Sequence, residues 1–194
     1  MKWIALAIVA FIVPYTWLTL KYRKPGPAYE PYADNKNRAN VSRLLSAGYQ
    51  RLAAAAERPA EAGRTGVTAT ARVTEVPGGL PFTLTQSLVD QPRLPQAFSS
   101  VSAPGEGSAS ADYRLAFNCV LPDYKEQLAG AEVYVREHTV VIVPLFEPIQ
   151  GSLLARTQES LVAITLPAGT LKPGHYTLTL AATGRSRQWT VDVK

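Results

Sequence analysis

Apolar and polar positions change their period several times along this chain of 194 residues. Residues Trp3 to Leu20 (WIALAIVAFIVPYTWLTL) contain no charge. As a helix, at a rise of about 1.5 Å per residue, this run measures about 27 Å, close to the hydrocarbon thickness of a bilayer. Trp3, Tyr15 and Trp17 stand toward its ends, where amphipathic rings favour the membrane–water interface. Pro14 removes one helical hydrogen bond, which a membrane helix tolerates as a kink. The pattern predicts one uncleaved transmembrane anchor over residues 1–20. A cleaved signal peptide is the competing reading. Its apolar core would be shorter and would end at a small-residue cleavage site. Here the run ends in Trp-Leu-Thr-Leu and passes straight into Lys-Tyr-Arg-Lys.

Residues 21–33 then alternate prolines with tyrosines and cations. Pro25, Pro27 and Pro31 forbid a continuous helix and favour an extended strip. One reading is a headgroup-level spacer, with tyrosines at the interface and cations on phosphates. The other is a docking strip for a membrane partner, which makes Tyr22, Arg23, Lys24, Tyr29 and Tyr32 the candidate partner-binding residues.

A helical period follows. Val41, Leu44, Leu45, Gly48, Tyr49, Leu52, Ala53 and Ala56 recur at i, i+3, i+4, i+7 and i+8, one face of an amphipathic helix. Asp34 or Asn40 caps its start, and Pro59 and Gly63 end it. Arg38, Arg43, Arg51 and Arg58 fall largely off the apolar stripe. Such a helix either lies on anionic lipid or packs on the folded domain. Residues 34–64 are thus predicted to be an amphipathic helix and a hinge, with a domain boundary at residue 65.

Beyond it the period becomes 2. Strands are predicted over 67–73, over 80–84 with an extension toward Val89, over 113–117, over 132–136 and 139–146 as a hairpin turned at Glu137-His138, over 161–166, over 176–180 and over 189–193. Ser99 to Ser110, rich in Ser, Gly, Ala and Pro, reads as a mobile loop. The arm Thr139–Phe146 (TVVIVPLF) is continuously apolar, which suits a strand buried on both faces. About eight strands with no interleaved long helix argue for an antiparallel β-sandwich over residues 65–194. Leu171-Lys-Pro-Gly-His-Tyr176 has the Leu-x-Pro-Gly-x-Tyr form with which immunoglobulin-like sandwiches often enter their penultimate strand. There the tyrosine hydroxyl ties back to nearby backbone, the tyrosine corner. Pro173, Gly174, Tyr176 and Trp189 are therefore expected to be structural. The predicted fold class is mainly β: one N-terminal transmembrane helix, an amphipathic helix, then an immunoglobulin-like antiparallel sandwich.

Charge sharpens the division. Residues 1–64 carry ten Lys/Arg against four Asp/Glu, and residues 65–194 carry ten against eleven. The β domain thus has no global basic field and no basic–aromatic interleaving, which argues against nucleic acid. One cysteine, Cys119, excludes an internal disulfide and any multi-cysteine metal site. In a strand beside Phe117 and Val120 it is expected to be a buried, inert thiol. His138 falls in a turn and His175 inside the Leu-x-Pro-Gly-x-Tyr segment. With Cys119 they form at most a three-ligand set. No nucleophile elbow, phosphate loop or zinc-protease motif occurs. No catalytic residue, cofactor or metal is predicted.

The stretch Leu166-Pro-Ala-Gly-Thr-Leu-Lys-Pro-Gly-His-Tyr-Thr-Leu-Thr-Leu180 with Gln188-Trp-Thr-Val-Asp-Val193, together with the layout of anchor, linker and sandwich, resembles the FixH and YtkA-like bacterial envelope proteins. FixH proteins accompany cbb-type cytochrome oxidases. The resemblance implies a non-enzymatic, membrane-anchored accessory or assembly subunit of a larger membrane complex such as a respiratory oxidase. The alternative is an envelope sandwich that binds a ligand or a metal. The expected partners are membrane lipid and an integral membrane complex. The expected location is the inner (cytoplasmic) membrane, single-pass, with the soluble domain outside the cytoplasm. Lys21, Arg23, Lys24, Lys36 and Arg38 oppose that orientation, since flanking cations favour the cytoplasmic side.

Overall fold

The computed structural model describes residues 2–22, 31–59, 66–121, 123–149, 154–155 and 157–194. The chain forms two compact units, Met1–Lys36 and Asn37–Lys194.

In the first unit the uncharged run is helical, α1 (Lys2–Lys21), with Pro14 inside it. Its apolar residues are spread around the axis rather than gathered in a stripe. Trp3, Phe11, Ile12, Val13, Tyr15 and Trp17 are all exposed. Lys21 sets its ammonium over the Trp17 ring at 4.7 Å. Among the described residues no helix is long and apolar enough to cross a membrane. Positions 4–7 and 20, whose side chains lie outside the described set, are Ile, Ala, Leu, Ala and Leu in the sequence. The helix expected at 1–20 is observed; a membrane crossing there is not.

The expected helix over 34–58 is corrected. A shorter one, α2 (Pro31–Ser46), is followed by a strand, β1 (Gln50–Glu57). Gly48 stops the helix. Its φ is 80°. Tyr49 N–H donates to Leu44 O at 2.8 Å and Gly48 N–H to Leu45 O at 3.0 Å. These are the two bonds that close a helix through a left-handed glycine. From Leu52 onward the inward positions are Leu52, Ala54 and Ala56, a period of 2. The hinge expected over 60–66 lies largely outside the described residues.

The rest is mainly β. In chain order come β2 (Thr74–Pro77), a short helix α3 (Phe82–Ser87), β3 (Ala97–Ser102), β4 (Glu106–Gly107), β5 (Tyr113–Val120), β6 (Glu126–Arg136), β7 (Thr139–Pro148), β8 (Glu159–Leu166), β9 (Gly174–Leu180) and β10 (Arg185–Val193). Three expectations change here. Residues 67–73 are not a strand, 82–87 are helical, and the 99–110 segment holds β3 and β4 rather than a free loop. The strands expected near 113, 132, 139, 161, 176 and 189 are present.

They form one curled sheet of ten strands in the order β2-β10-β9-β7-β6-β1-β8-β5-β3, with β4 added to β10. The pairing is not wholly antiparallel: β7 runs parallel to β9, and β4 parallel to β10. β1 joins the two halves, pairing β6 through Gln50–Ala54 and β8 through Ala55–Glu57. β10, next to one end of this order, also meets β3 at the other end. Arg187 donates to Phe98 O at 2.9 Å, and Gly184 N–H to Gln96 O at 3.1 Å.

Inside the curl, Leu115, Phe117, Val133, Ile142, Ile164, Leu178 and Trp189 form the main core. A second core lies on the other face of β6 and β7. There α2 and α3 bury Leu44, Leu84 and Leu88 against Tyr134, Val141, Val143 and Ala181. This explains the continuously apolar β7. Val140 and Ile142 face one core while Val141 and Val143 face the other, and all four are fully buried.

Candidate functional site

The β6–β7 hairpin turns at Glu137-His138, as its sequence predicts, with Arg136 opposite Thr139. A two-residue hairpin turn needs a left-handed backbone position, and Glu137 supplies it at φ 51°. The His138 carbonyl then accepts a hydrogen bond from Thr177 N–H at 2.8 Å, which pins the turn to the middle of β9. Gly174 leads into β9 at φ 151°, and a Cβ there would stand 3.6 Å from His138 Cε1. The imidazole and the Tyr176 ring face each other with centroids 5.6 Å apart and planes tilted by 54°.

These groups form one wall of a cleft of about 480 Å³. Gly48 and Gln50 at the α2–β1 junction, Val135 and Glu137, and Thr170, Lys172 and Pro173 complete it. The volume is that of a small-molecule site. Tyr176 is buried while His138, Glu137, Lys172 and Pro173 are exposed. The lining therefore offers an aromatic floor, an ammonium, an imidazole, a carboxylate and amide and hydroxyl groups. These groups could orient a small polar or anionic molecule against the Tyr176 ring.

Of the expected structural residues, Pro173, Gly174 and Tyr176 are brought together at this cleft, and Trp189 is buried in the main core. A tyrosine-to-backbone tie is seen in the core at Tyr113. Tyr113 OH donates to Pro104 O at 2.8 Å and accepts from Trp189 Nε1 at 3.0 Å. Burial pushes the Tyr113 phenol well above its ordinary range, against the weaker opposing effect of the Trp189 hydrogen bond. Tyr22 is exposed. Arg23, Lys24 and Tyr29 lie outside the described residues. Tyr32 sits in the first turn of α2, with its side chain outside them.

Cys119 lies in the main core and donates to Ser160 O at 3.4 Å. Burial pushes its thiol up to about 12. His175 is exposed and pairs with Asp192, its neighbour across β9–β10. Among the described residues no group of three or more His, Cys, Asp or Glu could hold a metal ion. Sequence reasoning did not find Gly48, Gln50, Val135, Thr170 or Lys172 as cleft residues. They come from three separate segments, and nothing in their spacing joins them.

No protein-family model, curated protein or solved structure matches this chain.

Proposed function

We propose that this protein is a non-enzymatic, membrane-anchored accessory subunit, held by α1 and presenting the curled β domain to a larger integral membrane complex. The observation that carries the reading is α1 itself. It is twenty residues long, its apolar residues are spread around the axis, and its described large apolar side chains are exposed. A helix apolar all round is buried in protein or in lipid. Each large apolar side chain removed from water contributes about 1.5–3 kcal/mol. Nine described ones on α1 are exposed, so more than about 10 kcal/mol favours a non-aqueous home. We read the curled sheet as the immunoglobulin-like sandwich expected from the sequence, and the envelope face of the inner membrane as its place. The resemblance to FixH and YtkA-like proteins is what would make the partner a respiratory oxidase.

The test is a mild-detergent purification of the full chain through a C-terminal tag, beside a chain lacking residues 1–33. A defined membrane complex that co-purifies only with the full chain is the expected result. Recovery of the full chain alone, from membranes that contain it, would overturn the reading.

A second reading has its own observation. The cleft at His138, Lys172 and Tyr176 has the size and mixed lining of a ligand site, so a ligand-binding domain is the alternative. Thermal stabilisation of the wild-type protein by a small-molecule panel, lost in Lys172→Ala, would favour it.

A further inference from the structure

The helical layer of the second unit shows one face to the sheet and another to the outside. On α2 only Leu44 is buried among the residues from Asn37 to Ser46, with Asn40 half-buried beside it. Asn37, Arg38, Val41, Ser42 and Leu45 lie along the open outer side of α2, the i, i+1, i+4, i+5, i+8 pattern of a single helix side. Val41 and Leu45 are 46% and 63% exposed, and Phe82 at the start of α3 is 77% exposed.

The two helices are tied to each other. Arg43 Nη2 donates to Gln86 O at 2.9 Å, Asn40 Oδ1 accepts from Val89 N–H at 3.2 Å, and Tyr49 OH meets Thr83 Oγ1 at 2.8 Å. Residues 37–46 and 80–89 contain two charges, Arg38 and Arg43, and no carboxylate. Asp90, next along the chain, already has a partner.

We infer that the outer side of α2, together with Phe82 on the neighbouring α3, is a membrane-surface contact, in which Val41, Leu45 and Phe82 enter the interfacial zone of an anionic bilayer while Arg38 reaches its phosphates. The inference rests on the anchor reading of α1. Single apolar side chains set among arginines and small polar residues suit the headgroup–acyl boundary, where aliphatic stems bury and cations stay at the phosphates. The charge sign fits an anionic surface, each cation near it contributing about 1 kcal/mol. Fully extended, the chain from Lys21 to Asn37 reaches no more than about 55 Å. An inserted α1 therefore keeps this face at high effective concentration beside the lipid.

The experiment uses the full chain in lipid nanodiscs. Leu45→Cys and Phe82→Cys are each labelled with an environment-sensitive fluorophore, the buried Cys119 thiol staying unlabelled. Discs are of phosphatidylcholine alone or with phosphatidylglycerol, with and without a doxyl-labelled lipid as quencher. The expected result is blue-shifted emission quenched by doxyl lipid at both positions in anionic discs, with quenching at least halved by Arg38→Glu. If the protein is retained in discs but both labels stay unquenched in every lipid, the surface contact is overturned and the anchor stands. A blue shift without doxyl quenching means that protein covers the face, and also overturns it. If the protein is not retained in discs, the anchor reading and this inference fall together.

Discussion

Tyr113 shows how a single hydroxyl can hold two distant segments. It joins the Pro104 carbonyl, before β4, to the Trp189 indole on β10, and both rings are buried. Tyr113→Phe removes the acceptor of a buried N–H and the donor to a carbonyl. An unsatisfied buried group costs about 1–3 kcal/mol, so urea unfolding should show a loss of that size with little change in slope. A loss below the error of the fit would mean that water replaces the hydroxyl. Cys119 makes the complementary case. Its thiol is raised from 9.0 to about 12 by burial, against the backbone hydrogen bonds that lower it. The folded state therefore holds the proton that the unfolded state releases. Its contribution to stability is complete below the ordinary thiol pKa and is lost as pH rises through the interval toward 12. At pH 8 the folded chain therefore holds much less thiolate than the unfolded one. A thiol reagent such as Ellman's should thus react in urea and hardly at all with the native protein. Fast native reaction would place the thiol at the surface.

At the scale of elements, neighbouring leucines on α2 should behave very differently. Leu44 is 1% exposed in the second core, and Leu45 is 63% exposed. Leu44→Ala deletes buried methyl groups and leaves a cavity, which typically costs about 2–5 kcal/mol, whereas Leu45→Ala should change stability by less than about 0.5 kcal/mol. Equal effects would mean that α2 docks through a different face. The same helix shows where the sequence was ambiguous. The apolar stripe from Val41 to Ala56 matches a 3.6 period, and its first third is helical. Gly48 lies on that stripe and looks like an interior residue, but it is the left-handed stop. Beyond it, Ala53 to Ala56 carry no polar–apolar contrast, so their alternation could not be seen. Long-range pairing with β6 and β8 then overrides the helical preference of alanine. The β6–β7 hairpin was legible because its turn and its apolar run agree. β3 was not, since a serine-rich segment with a register shift between Phe98 and Ser100 looks like loop.

For the whole molecule, β1 sits in the middle of the sheet order, and this was hidden from a reading that set the domain boundary at residue 65. The predominance of strands and the buried Trp189 follow from alternation along single segments, and the buried β7 from its unbroken apolar run. The curl, the parallel β7–β9 pair and the cleft at His138 depend on which segments meet, and one chain's periodicity does not contain that. A truncation experiment separates the two views. A chain of residues 66–194 lacks the strand that pairs β6 on one side and β8 on the other. It also lacks Leu44 and Tyr49 from the second core. It would expose two unpaired edges, which favour aggregation, together with the apolar outer face of β7. The expectation is that residues 66–194 give an insoluble or unstructured product. Residues 37–194, which keep β1 and most of α2, should give a soluble domain with one cooperative thermal transition. A dispersed amide NMR spectrum from residues 66–194 would show instead that the two halves of the sheet can close without β1, and that residues 37–59 are an addition to a domain complete without them.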